Sequence, residues 1–172
     1  MEARSIVRPE RRAAIGRLLC ALLTLTPDVA RAEIAVGVNG IVAGAEFSGT
    51  FRLQRFVNDG SRLLAQGMLT DVPGGRTSSQ AIRIPVSAMA RSCEALRVDL
   101  AETDVDVQGQ AIHVNDFAVL VSDAARGPLG QSLCSVADAP DDASTLVPLL
   151  NQVVDLVGCL MRGAGGCARP ST

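Results

Sequence analysis

The chain has 172 residues and a mass of 17.9 kDa; 48% of the residues are hydrophobic, 20% are charged, and the formal net charge is −2. That suits one compact domain with its own core and excludes a disordered tail or a multidomain enzyme. All sixteen basic residues are Arg, which excludes Schiff-base chemistry and a P-loop lysine; His113 is the sole His, and Phe47, Phe51, Phe56 and Phe117 are the only aromatic residues.

The first segment reads as an address. Arg4, Arg8, Arg11, Arg12 and Arg17 form a basic head, Leu18 to Leu25 is apolar, and Ala30-Arg31-Ala32 has the small-x-small pattern of a signal-peptidase site. This order predicts a secretory signal peptide over residues 1–32, cleaved after Ala32, and a single domain over 33–172 that is secreted or periplasmic. The apolar run is far short of the roughly 20 residues a spanning helix needs. Arg11-Arg12 leaves twin-arginine export open beside the general route, and Leu18-Leu19 ahead of Cys20 argues against a lipid-modified cysteine. Cleavage leaves 10 Arg against 15 acids, a net charge of −5. A mildly acidic domain with few rings offers neither a basic stripe nor stacking platforms, so nucleic acid is not an expected partner. No further membrane span is expected in the mature chain.

The mature chain then reads as strands first, helix last. Ile34 to Glu46 is apolar but Gly-rich and is taken as an additional strand. From Phe47 to Val57 residues alternate, with Phe47, Gly49, Phe51 and Leu53 on one face and Ser48, Thr50, Arg52 and Gln54 on the other. Asn58-Asp59-Gly60-Ser61 predicts a turn, and Leu63 to Val72 returns as the second arm of a hairpin, with Gly67 leaving room for a bulge or a close neighbour. Pro73 to Ser79 is a loop by composition. Ile82, Ile84 and Val86 give a third strand, Leu96, Val98 and Leu100 a fourth, Val105 to Val114 a fifth, and Phe117, Val119 and Val121 a sixth. These spacings predict a mainly β, α+β fold: an antiparallel sheet of about six to seven strands, a curved roll or a sandwich, packed with a C-terminal helix.

After Asp123 the period changes. Pro128-Leu129 opens a short apolar stretch with Leu129 and Leu133 one turn apart. Leu146, Leu149, Leu150, Val153, Val157 and Leu160 follow helical spacing, predicting a helix over about 145–162. Ser144 or Thr145 is the expected N-cap, Pro148 falls in the expected first turn, and Gly163 is the expected stop. Asn151, Gln152 and Asp155 leave a narrow polar stripe. A helix this apolar needs cover on most sides; Val154 and Leu156 lie outside its main stripe, where a partner or ligand would complete the burial.

Cys93, Cys134, Cys159 and Cys167 remain after cleavage, an even number that suits two disulfides in an exported chain. Three connectivities exist; Cys93–Cys134 with Cys159–Cys167 is favoured, the second pair bracketing Arg162-Gly163-Ala164-Gly165-Gly166. Zinc is disfavoured, because no pair has ligand spacing and His113 stands alone.

Candidate chemistry is sparse. Asp99, Glu102, Asp104 and Asp106 form the densest acidic run. Asp104 to Gly109 resembles the opening of a calcium loop, but Asn115 stands where a bidentate Glu is required, and Val105 and Val107 fit a strand whose polar face meets water. The same carboxylates lack the Trp and Tyr that line sugar subsites. His113 lacks a nucleophile, since Gly130-Gln131-Ser132-Leu133-Cys134 departs from G-x-S-x-G at its last position. No catalytic, cofactor-binding or metal residue is therefore assigned.

Phe47-x-Gly49-x-Phe51, Ser92-Cys93-Glu94-x-Leu96-x-x-Asp99-Leu100 and Gly127-Pro128-Leu129-Gly130-x-x-Leu133-Cys134 together resemble a group of uncharacterised exported bacterial proteins. In that group a strand pattern precedes C-[DE]-x-L-x-L-x-L and a G-x-L-L-C segment precedes apolar helical turns. The resemblance spans about residues 47 to 160 and departs at Arg97 and over Asp104 to Gln110. It implies export and a structural Cys93–Cys134 disulfide, and supplies no activity. The expected function is thus a non-enzymatic exported module, binding or structural, without a cofactor. The alternative is a carrier holding an apolar ligand between the sheet and the C-terminal helix.

Overall fold

The computed structural model describes residues 33–70, 79–107, 109–122 and 127–163. The expected signal peptide, most of the Pro73–Ser79 loop and Cys167 lie outside these residues. Eight strands and two helices follow in order: β1 (Ile34–Val42), β2 (Ala45–Asp59), β3 (Arg62–Thr70), β4 (Gln80–Arg91), β5 (Ala95–Leu100), β6 (Thr103–Val107), β7 (Gln110–Val114), β8 (Phe117–Ser122), α1 (Pro128–Ala137) and α2 (Ala143–Met161). All pairings are antiparallel, in the order β6-β7-β1-β2-β3-β4-β5-β8.

One strand is added to the expected six to seven because Val105–Val114 folds back on itself, and the boundary between the first two strands falls earlier than expected. Ile34–Glu46 bends at Ala43-Gly44, where both residues have positive φ (49° and 81°), the geometry of a tight two-residue hairpin. Val105–Val114, expected as one strand, divides at Gly109 (φ 83°), where the Asp106 carboxylate accepts from the Gly109 N–H at 2.8 Å. The apolar residues change phase across that turn, from Val105 and Val107 to Ile112 and Val114, with Gln108-Gly109-Gln110 between them.

β2 carries the expected two faces: Phe47, Phe51 and Leu53 are buried while Ser48 and Arg52 are exposed. A bulge between Leu53 and Arg55 inserts one residue, so Phe56 rather than Arg55 points inward. Gly67 gives a neighbour room, as expected. A Cβ there would lie 2.7 Å from the Phe51 ring and 2.3 Å from the Arg52 carbonyl.

Two short connectors decide the overall shape. Leu100 ends β5 and Thr103 begins β6, yet these strands lie six positions apart in the sheet; Val114 to Phe117 makes the same jump from β7 to β8. Three residue steps reach about 10 Å, whereas six strand spacings in a flat sheet span about 29 Å. The sheet must curl until its ends approach, and it forms a half-barrel, not a sandwich. Across the curl, the Phe51 and Phe117 rings meet edge to face with centroids 5.6 Å apart, and Gln80 Nε2 donates to the Asp106 carbonyl at 2.6 Å.

β4 is the corner. Its first half pairs with β3 as far as Leu64↔Pro85, and from Val86↔Leu100 it pairs with β5, with a bulge between Val86 and Ala88. Pro85 suits that position. Its carbonyl faces away from β3 and accepts from Ala101 N at 2.9 Å, and the missing N–H falls on the same side, so the β3 ladder loses no bond.

The concave side is filled by Phe51, Leu53, Leu69, Ile84, Leu100 and Ile112, and closed by α2, which packs chiefly on β2 and α1. The helix begins two residues earlier than expected. Its N-cap is Asp142, not Ser144 or Thr145, and Pro148 lies inside the helix rather than in its first turn. Gly163 (φ 64°) follows the last turn as expected, donating to the Leu160 carbonyl at 3.1 Å. Leu146, Leu150, Val153, Val154 and Gly158 are buried, so Val154 belongs to the stripe that meets the sheet, and Leu156 is partly buried against the same core. Leu160 and Met161 remain exposed.

Candidate functional site

The residues singled out by chemistry are dispersed. His113 and Asp104 face each other across the β6–β7 ladder, and His113 Nδ1 lies 2.8 Å from Asp104 Oδ1. Glu102 Oε2 is 3.9 Å from the other ring nitrogen, Nε2. The imidazole is 37% exposed and the carboxylates are 83% and 73% exposed, so solvent screens the group and it acts as a clasp on an edge hairpin. Asp106, which would have belonged to a calcium loop or a carboxylate pair, is spent on the turn at Gly109. Asp99 is engaged by Arg97 at 2.8 Å on the outer face of β5, and that carboxylate raises the Arg97 pKa further. Among the described residues no group of three or more His, Cys, Asp and Glu is arranged to hold a metal ion.

Ser132 is not joined to His113. It is 4% exposed on α1 and its hydroxyl donates to the Pro128 carbonyl at 3.2 Å, an ordinary one-turn back-bond. Nearby, Cys93 in the β4–β5 turn is disulfide-bonded to Cys134 of α1, with a Cα–Cα distance of 4.1 Å. Cys159 is disulfide-bonded as well, to a partner outside the described residues.

Arg91, which the sequence did not single out, reinforces the same junction. Its side chain, 16% exposed, donates to the carbonyls of Val136 and Ala139, each at 3.1 Å, and pairs with Asp141. A guanidinium on the last carbonyls of a helix both satisfies acceptors and complements the dipole.

The polar stripe of α2 also proves structural. Asn151 reaches the backbone of Phe56 twice: its Oδ1 accepts from Phe56 N at 2.6 Å and its Nδ2 donates to Phe56 O at 3.0 Å. β1 reaches β2 only as far as Ile34↔Leu53, so the amide takes the place of the strand residue missing beyond it. At the head of α2, Asp142 accepts from the hydroxyls of Ser144 and Thr145 and from the Thr145 N–H. These bonds, Ser144 first, hold its carboxyl below the usual carboxylate range.

Concavities separate into an interior gap and surface grooves. Between sheet and helix, Leu53, Phe56, Val98, Leu150 and Val154 leave only about 10 Å³. On the surface, a groove of about 530 Å³ runs along β4 at its bulge, between the start of β3 (Arg62, Leu63) and the approach to α2 (Asp141, Ala143, Leu146). A second, of about 580 Å³, lies over the β1–β2 hairpin beside Asn39, Ser48 and Asn115. There Ser48 Oγ donates to Asn39 Oδ1 at 2.9 Å and the Asn115 N–H to the Asn39 carbonyl at 3.0 Å.

α2 is long and apolar enough, by those two measures, to cross a bilayer; here its apolar stripe meets β2 and α1. Comparison with known proteins finds no matching family model, no matching curated protein and no matching solved structure.

Proposed function

We propose that the chain is an exported, non-enzymatic module that works outside the cytoplasm by binding or as a structural part. The observation that carries this reading is the Cys93–Cys134 bond, a cross-link spanning 41 positions that persists in oxidising compartments. It agrees with the basic head, apolar run and Ala30-Arg31-Ala32 pattern of the sequence. The non-enzymatic part is supported by how the reactive side chains are used: His113 and Asp104 clasp a hairpin, Asp106 closes a turn, and Ser132 serves its own helix.

The carrier alternative has less support. An interior gap of about 10 Å³ holds at most one water molecule, and an apolar ligand would have to displace packed core residues.

Expression of the full chain in a bacterial host, followed by fractionation, N-terminal sequencing and alkylation of free thiols, tests the reading. The expected product lies outside the cytoplasm, begins at Glu33 and resists alkylation until reduced. Full-length cytosolic protein with reactive Cys93 and Cys134 would refute it. The oxidised protein is further expected to give no saturable signal with a dye that fluoresces in apolar surroundings; a saturable signal would favour the carrier.

A further inference from the structure

The convex face of the sheet carries a row of side chains left with donors only. Phe56, Ala65, Ile82 and Ile84 face the core, so by alternation Arg55, Gln66 and Arg83 face solvent. These three stand opposite one another in register across β2, β3 and β4. Gln66 Oε1 accepts from Arg55 Nε at 3.3 Å and from Arg55 Nη2 at 3.2 Å, which spends the one side-chain acceptor in the row. The Gln66 amide N–H groups and two guanidiniums remain, and neither Arg55 nor Arg83 forms an ion pair among the described residues.

Charge around the row is one-sided. Arg52, on the same face of β2, adds a third guanidinium and pairs with Glu33 at 3.5 Å. At the β2–β3 hairpin end Asp59 and Arg62 stand opposite each other and cancel. Four Arg against two acids leave +2 on this face, whereas residues 33–172, with 10 Arg and 15 acids, sum to −5. Acids gather elsewhere: Glu102 and Asp104 at the β6–β7 hairpin, and Asp138, Asp141 and Asp142 ahead of α2, which covers the opposite, concave side of β2. Val57 and Pro85 on one side of the row and Met68 on the other are half-buried apolar side chains.

Neither surface groove includes Arg55, Gln66 or Arg83. The row therefore encloses no single small anion. It fits anions presented side by side on a surface, since Arg55 and Arg83 start about 10 Å apart over two strand spacings. Apolar side chains bordering the cations suit the headgroup region of a bilayer and are of no use to a soluble polyanion.

We infer that this face docks on a bilayer surface bearing anionic phospholipids, with Arg55, Arg83 and the Gln66 amide donating to headgroup phosphates. Guanidinium forks match phosphate oxygens, and the acids on the far side turn the basic face toward the membrane. The inference rests on the reading of the chain as an exported binding module and names the partner class.

The probes are vesicles of phosphatidylcholine alone and of an equal mixture of phosphatidylcholine and phosphatidylglycerol. Protein recovered in its exported, oxidised form is expected to sediment saturably with the mixed vesicles and to stay in solution with the neutral ones. Raising NaCl from about 0.05 to about 0.5 M should release it. The double variant Arg55→Gln with Arg83→Gln is expected to bind about thirtyfold more weakly, about fivefold for each charge. Arg97→Gln, on β5 and paired with Asp99, should lose less than about twofold. Both variants are expected to melt at the parent temperature. Equal binding to the two kinds of vesicle, binding to neither, a double variant that binds like the parent, or an equal loss in Arg97→Gln would each overturn the inference. Saturable binding to soluble polyphosphate with the vesicles left free would overturn it too, assigning the face to a soluble polyanion. Because cellular location and thiol state are read separately, an exported and oxidised protein that fails to bind removes the docking face alone. Cytosolic, reduced protein would remove the reading beneath it.

Discussion

At Asn151 one side chain does the work of a missing strand. Its carboxamide presents a donor and an acceptor with the spacing of a peptide unit, and Phe56 would otherwise leave its N–H and C=O unmet beyond the end of β1. Asn151→Leu keeps the volume but removes both bonds; a loss of about 2 kcal/mol in denaturant unfolding is expected, from stranded backbone groups and not from a cavity. Asp142 acts at the same scale but through charge. Its carboxyl is lowered in the folded chain, so the stability it contributes is complete above the unfolded value of about 4 and is lost as pH falls through the lower folded value. Asp142→Asn retains a capping side chain without the titration. The melting temperatures of the two proteins are therefore expected to converge as pH falls from 7 toward 3; a constant difference would exclude the capping carboxylate as the source.

At the scale of elements, α1 is a short helix held by a covalent bond and a partly buried cation. Cys93–Cys134 ties it to the β4–β5 turn, and Arg91 binds its last carbonyls from the adjoining strand end. Closing a loop across 41 positions restricts the unfolded chain by about 4 kcal/mol in the chain-entropy model. The double variant Cys93→Ser with Cys134→Ser is expected to lose stability of that order in denaturant titration. Reducing agent should produce at least that loss in the wild type, since it also opens the Cys159 bond, and a smaller one in the variant. Arg91 accounts for the part of the junction that survives: α1 should stay docked, with its helical signal retained, in the cysteine variant under native conditions.

At the scale of the whole molecule, the half-barrel is imposed by connectivity. Two connectors of two residues each join opposite ends of one eight-stranded sheet, and only a curled sheet lets them reach. The Phe51–Phe117 contact crosses the inside of the curl, joining β2 in mid-sheet to β8 at one end. Phe117→Ala is expected to cost about 3 kcal/mol, seen as a lower denaturation midpoint with an unchanged slope if the curl persists. A changed slope would mean that the sheet had opened.

The sequence by itself determined the antiparallel strands, the apolar stripe of α2, the stop at Gly163 and the segments that carry Cys93 and Cys134. Each is written in nearest-neighbour terms: a period of two, a period of 3.6, or a residue that tolerates positive φ. Pro85 marks the corner of β4, where the strand changes partner, a role the period of Ile82, Ile84 and Val86 does not reveal. The division of Val105–Val114, the inward turn of Asn151 and the capture of α1 by Arg91 were decided only by the tertiary structure. For Asn151 and Arg91 the deciding partner lies far away along the chain, 95 positions between Phe56 and Asn151 and 45 between Arg91 and Val136; the turn at Gly109 is closed by a local side-chain bond from Asp106, at the point where the apolar phase shifts between Val107 and Ile112.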